Sequence, residues 1–86
     1  MTIKDVTIQN EKGLHARPAT LFIQKANYFR SSVWVENGNR KANAKSLLGV
    51  LSLAVSKGDV ITLSAEGSDE AEAVAGLSQL IAELED

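Results

Sequence analysis

Hydrophobic residues recur along this chain with two different periods, and the places where the period changes constrain its fold more than any other feature. From Val60 to Ala65, after Lys57-Gly58-Asp59, apolar and polar side chains alternate, the period of a half-buried strand. Val74, Leu77, Leu80, Ile81 and Leu84 then repeat at three and four residues, one face of a helix. A second helical stripe, Ala19, Phe22, Ala26 and Phe29, runs from Ala16 to about Phe29, with Gln24, Lys25 and Asn27 lying elsewhere. Pro18 falls in that helix's first turn, where its missing N–H does no harm.

The remaining segments fit around these. Residues 3–8 are β-branched enough for a strand, and Asn10-Glu11-Lys12-Gly13 supplies the turn that ends it. Ser32 to Glu36 and Arg40 to Asn43 flank Asn37-Gly38-Asn39, a turn able to adopt positive φ, and read as a hairpin. Asp69 followed by Glu72 reads as a capping box for the last helix. The predicted order is β-α-β-β-α-β-α. It describes an α+β open-faced β-sandwich with a four-stranded, mainly antiparallel sheet and three helices on one face. With 86 residues and no linker or repeat, one domain spanning residues 1–86 is expected.

The segment from Ser46 to Val55 is apolar on every side, holding Leu47, Leu48, Val50, Leu51, Leu53, Ala54 and Val55. A short helix in so small a domain either gives these side chains to the core or leaves some exposed as a docking patch. Periodicity does not separate the two. Ser46 immediately precedes the segment and is a favourable N-cap. A phosphate added there would suit the helix N-terminus while placing roughly two negative charges beside Leu47, Leu48 and Leu51.

Composition narrows the chemistry. The chain has no cysteine, which excludes a disulfide framework and thiolate metal sites. It shows no signal-peptide pattern at Met1 to Asp5 and no apolar run long enough to cross a bilayer, so a cytoplasmic location is expected. Charge is uneven: residues 1–46 hold eight Lys or Arg against three acids, whereas 47–86 hold one against eight. With few aromatic side chains and no Arg-rich tract, this pattern fits acidic protein partners or phosphate groups better than nucleic acid.

His15 is the only histidine, and it stands where the first turn meets the first helix, in Gly13-Leu14-His15-Ala16-Arg17-Pro18-Ala19. An isolated histidine is more often a cap or a half-buried polar residue than a reactive group. Here its position argues for chemistry. The first N–H groups of a helix lack intrahelical partners and its macrodipole is positive at that end, so the site suits an anion. A neutral imidazole nitrogen can attack a phosphoryl group to form a phosphoramidate. The first-turn N–H groups and the Arg17 guanidinium can then meet its oxygens. Without a second His or a Cys, a transition-metal site is not expected, and no cofactor is implied. No nucleophile elbow supports Ser–His–Asp hydrolysis, and no glycine loop paired with an Asn supports an acylphosphatase-like enzyme.

Together, the His15 motif and Lys45-Ser46-Leu47-Leu48-Gly49-Val50-Leu51 resemble the histidine-containing phosphocarrier (HPr) family of the bacterial phosphotransferase system over essentially the whole chain. The resemblance implies a stoichiometric carrier rather than an enzyme. His15 would take phosphate from phosphorylated enzyme I, itself charged by phosphoenolpyruvate, and pass it to enzyme IIA domains of sugar transporters. Arg17 would stabilise the phosphohistidine, and Ala16, Thr20, Leu47, Leu48 and Leu51 would form the docking surface. Ser46 would be the regulatory site of an HPr kinase/phosphorylase, its phosphorylated form binding a CcpA-type regulator. Asn43 to Ser46 and Ser52 to Ser56 also resemble the regulatory paralogue Crh, and Ala54 replaces a glycine common in HPr. Crh-type proteins lack the matching histidine, which this chain retains.

Overall fold

The computed structural model describes residues 1–85. The elements run β1 (Thr2–Thr7), α1 (Ala16–Tyr28), β2 (Ser32–Asn37), β3 (Arg40–Asn43), α2 (Leu47–Ser52), β4 (Val60–Glu66) and α3 (Glu70–Ala82), the order the periodicities predict. The strands form one sheet ordered β1-β4-β2-β3, with every neighbouring pair antiparallel. Because β4 lies between β1 and β2, those two strands point the same way, with α1 as the crossover between them. In the same manner β3 and β4 flank β2 with α2 between them in sequence. Two interleaved β-α-β units therefore build the sheet. Helix α1 packs on both α2 and α3, and α3 packs on β1, β2 and β4, which places the helices on one face.

Strand alternation sends Val33, Val35, Ile61, Leu63 and Ala65 into the core, where each is almost fully buried. Register decides the facing of β1: Val6 pairs with Ile61 and packs on the core, whereas Ile3 pairs with Ser64 and is exposed on the outer face. All four members of the α1 stripe, Ala19, Phe22, Ala26 and Phe29, are buried. From α3 come Val74, Leu77 and Ile81, together with Ala73, while Leu80 and Leu84 are only partly buried. The hairpin is one residue tighter than the sequence implies. Asn37 pairs with Arg40, so the loop is Gly38-Asn39, and Gly38 takes φ +66° as the first loop residue.

The capping box at α3 does not form. Asp69 is the N-cap, but its side chain makes no cap hydrogen bond. Its carboxylate instead accepts from the backbone N–H groups of Arg30 and Ser31, each at 2.9 Å, and from the Ser31 hydroxyl. Glu70, not Glu72, reaches back to the Gly67 N–H and also accepts from the Thr2 hydroxyl. The turn between α1 and β2 offers three donors that no local pattern announces, and together they satisfy the Asp69 carboxylate better than one helix amide N–H would.

The Ser31 hydroxyl, followed by the Arg30 amide, holds the Asp69 carboxyl at about 2, below its ordinary 3.8. The Thr2 hydroxyl, the amino terminus and the Gly67 amide lower Glu70 in the same direction. A carboxyl depressed in the folded state contributes its full stability above the unfolded value and loses it as pH falls through the folded one. The denaturation midpoint of the wild-type chain is therefore expected to drop between pH 4 and pH 2. Asp69→Asn should flatten that drop in a urea titration series, with Glu70 leaving a residual slope.

Candidate functional site

The loop that delivers His15 is stitched to the segment between α2 and β4. Ile8 N–H donates to the Asp59 carbonyl at 2.8 Å, and Gly58 N–H donates to the Ile8 carbonyl at 2.7 Å. The Asn10 side-chain amide closes the turn on the Gly13 carbonyl at 2.8 Å. Leu14, buried, then donates its N–H to the Val55 carbonyl at 3.1 Å. That approach requires Gly13: it sits at φ +61°, and a Cβ there would lie 2.1 Å from the Val55 oxygen.

His15 follows as the N-cap of α1, in extended backbone, with its side chain exposed and making no cap hydrogen bond. Its carbonyl accepts the Ala19 N–H at 2.8 Å, the first bond of the helix. Pro18, buried, carries no N–H. The N–H groups of Ala16 and Arg17 therefore remain as first-turn donors with no acceptor among the described residues. Arg17 is exposed and has no ion-pair partner among the described residues. It lines an open groove of about 310 Å³ with Pro18, Leu21, Glu83, Leu84 and Glu85. This is a surface site, with a nucleophilic ring nitrogen beside unpaired backbone donors, and it can receive an anion delivered by another macromolecule.

Ser46 caps α2 as the sequence predicts, its Oγ accepting the Gly49 N–H at 3.1 Å. The start of α2 is tied to α1: Asn27 donates to the Lys45 carbonyl at 3.2 Å, and Lys45 Nζ reaches the Phe29 carbonyl at 2.8 Å, at the end of α1. The apolar segment divides. Val50, Leu53 and Val55 are buried and Leu51 is partly buried against the core, whereas Leu47 is 37% and Leu48 81% exposed. Ala16 is exposed, and Thr20, half-buried, spends its hydroxyl on the Ala16 carbonyl at 2.8 Å. His15, Ala16, Arg17 and Thr20 thus share the start of α1, and Ser46, Leu47 and Leu48 share the start of α2, on two helices packed together.

Sequence reading missed the residues that hold these helices in place: Val55, Asn37, Arg40, Asp59 and Lys45. Each acts across at least twelve intervening positions or through a backbone carbonyl, and neither route leaves a local pattern.

The molecule is thus a small antiparallel open-faced sandwich that presents an exposed histidine at the start of its first helix. The family model for the phosphorylation site of the PTS HPr component matches residues 3–83. The chain is 47% identical over 81 residues to the HPr-like protein Crh of Halalkalibacterium halodurans, covering 94% of this chain and 96% of that protein. It is 44% identical over 81 residues to the phosphocarrier protein HPr of Neisseria meningitidis serogroup A, covering 94% and 91%. Among solved structures, HPr-C-His from Thermoanaerobacter tengcongensis superposes with a TM-score of 0.93 at 54% identity, over 95% of this chain and 92% of that one. The chain belongs to the HPr family of the phosphotransferase system, and both HPr and Crh are among its relatives. No helix among the described residues is long and apolar enough to cross a membrane.

Two backbone positions give direct tests. Gly13→Ala should lower stability by roughly 3 kcal/mol or more, because it adds both left-handed strain and a clash with Val55. In the folded fraction, NMR should show displaced signals at Leu14 and His15. Ala54 is the one non-glycine residue at positive φ among the described residues, at +51°. Ala54→Gly is expected to raise the urea midpoint through a stabilisation of less than about 1 kcal/mol, since relief of strain exceeds the added freedom of the unfolded chain. Ala54→Val should lower it.

Proposed function

We propose that this chain is a cytoplasmic, single-domain phosphocarrier in which His15 accepts a phosphoryl group from phosphorylated enzyme I and delivers it to enzyme IIA domains. The observation that carries this reading is the exposed imidazole of His15, which makes no cap hydrogen bond, at a helix start where the N–H groups of Ala16 and Arg17 have no acceptor among the described residues. In the first transfer a His15 ring nitrogen attacks the phosphorus of the phosphorylated donor. A new P–N bond forms as the donor's bond to phosphorus breaks, and the donor's leaving atom keeps the electron pair. In the second transfer the acceptor attacks and His15 leaves. In both transfers positioning and charge stabilisation do most of the work. Negative charge on the three phosphoryl oxygens is met by the first-turn N–H groups and by the Arg17 guanidinium.

Ala16, Thr20, Leu47, Leu48 and Leu51 are the proposed docking surface. Leu48 offers the largest apolar contact, and the partly buried Leu51 supports it from beneath. The reading is supported by the kinship with HPr of Neisseria meningitidis.

A second role is favoured by Ser46, whose exposed hydroxyl caps α2 beside Leu47 and Leu48, and by the kinship with Crh proteins. Phosphorylation of Ser46 by an HPr kinase/phosphorylase would add roughly two charges at a helix N-terminus, leaving the fold intact while changing the docking surface. A CcpA-type regulator would then read the modified face. Both roles can reside in one chain.

With enzyme I and phosphoenolpyruvate, wild-type protein is expected to gain one acid-labile phosphate and His15→Ala none, measured by intact-mass spectrometry before and after acid treatment. Undiminished incorporation into His15→Ala would sink the carrier reading. Arg17→Ala should slow transfer by roughly 10²-fold. Kinase and ATP should instead give an acid-stable phosphate lost in Ser46→Ala. Equal affinity of the regulator for modified and unmodified protein would count against the second role.

A further inference from the structure

Residues 53–59, between α2 and β4, touch both halves of the site. At one end, Leu53 is the C-cap of α2 and its carbonyl accepts from Asn37 Nδ2 at 3.1 Å. In the middle, the Val55 carbonyl receives the N–H of Leu14, the residue before His15, at 3.1 Å. At the other end, Gly58 and Asp59 bracket Ile8, where the loop leading to His15 begins. Inside the segment, Asp59 Oδ2 accepts the Ser56 N–H at 2.9 Å and Asn37 Nδ2 at 3.2 Å. One side-chain amide on the hairpin thereby joins the end of α2 to the carboxylate that folds this segment back on itself. Arg40, also on the hairpin, adds a bond from Nη1 to the Ser52 carbonyl at 3.0 Å.

We infer that Asn37 and Asp59 are positioning residues for phosphoryl transfer, holding segment 53–59 so that His15 and the exposed leucines of α2 meet a partner in one fixed register. The inference rests on the carrier reading above. Both residues act through the segment, not on the phosphoryl group. A partner that engages α2 and His15 together binds a constellation, and freedom between its parts weakens every encounter. Asn37 and Asp59 are half-buried, and a bond to a carboxylate in that setting is stronger than one between neutral groups.

The test measures steady-state phosphorylation of the carrier by enzyme I together with hydrogen exchange of the Leu14 amide. Asn37→Ala should raise the KM for the carrier about fivefold or more while kcat stays within about twofold, the pattern of lost docking rather than lost chemistry. Leu14 exchange should accelerate about tenfold. Asn37→Asp keeps the side chain's shape but replaces the donors with a second carboxylate facing Asp59, and should raise KM at least as much. Asp59→Ala should behave like Asn37→Ala, whereas Asp59→Asn, which retains an acceptor oxygen, should restore KM to near the wild-type value. Val74→Ala, a cavity in α3 far from the segment in sequence, controls for general loss of stability and should leave KM alone. A wild-type KM in folded Asn37→Ala and Asn37→Asp, or an equal rise in Val74→Ala, overturns the positioning role. Unchanged Leu14 exchange in Asn37→Ala overturns the linkage itself. Failure of enzyme I to phosphorylate the wild-type chain overturns the carrier reading and this role with it, while leaving the exchange result to judge the linkage separately.

Discussion

The placement of β4 between β1 and β2 is the constraint on which the rest of this structure depends. It is the last strand in sequence, yet it pairs with residues 2–7 on one side and residues 32–37 on the other, so the sheet has no centre until the chain is nearly complete. Closing such loops costs entropy before any contact repays it. Burial of Ile61, Leu63 and Ala65 against Val33, Val35, Phe22 and Leu77 offsets that cost. Once β4 is in place, the residues leading into it are fixed as well, and these carry the consequences for the site.

The short stretch before β4 turns a core constraint into a surface arrangement. Val55 is buried, and its carbonyl stands where only a residue without Cβ can pass; Gly13 passes there, and Leu14 takes the bond. The exposed His15 is therefore presented by backbone anchored on both sides, while the first-turn N–H groups of Ala16 and Arg17 have no acceptor among the described residues. On the neighbouring helix Val50 faces inward and Leu48 outward, so α2 is held by the core and still offers an apolar surface. A shallow site of this kind suits a group handed from one protein to another, since both partners must reach the same nitrogen from solvent.

Much of this was legible in the residues. The stripe Ala19, Phe22, Ala26 and Phe29 is buried as its spacing demands, and Ser46 caps α2 as its chemistry and position demand. His15 at the head of α1 could be placed from Pro18 and the turn before it. Other features were not legible. Asp69 has the right identity and spacing for a cap, but the Arg30 and Ser31 donors, 39 and 38 residues away, claim its carboxylate. The segment from Leu47 to Val55 is apolar at nearly every position, and nothing in its composition says that Leu48 is exposed while Leu53 is buried. The Asn37 amide and the Asp59 carboxylate look like ordinary turn residues until 22 positions of chain bring them together.

Sequence by itself determined the kind and order of the elements, the Ser46 cap of α2 and the presence of a single histidine at the head of α1. These follow from interactions among residues a few positions apart, where helix and strand periods act on side chains directly. The tertiary structure alone decided that β4 enters the middle of the sheet, that Ile3 faces out while Val6 faces in, and that Gly13 lies against Val55. Those outcomes depend on which apolar faces can be buried together at the lowest cost in chain entropy. That competition is settled by the whole chain at once, and no local segment records its result.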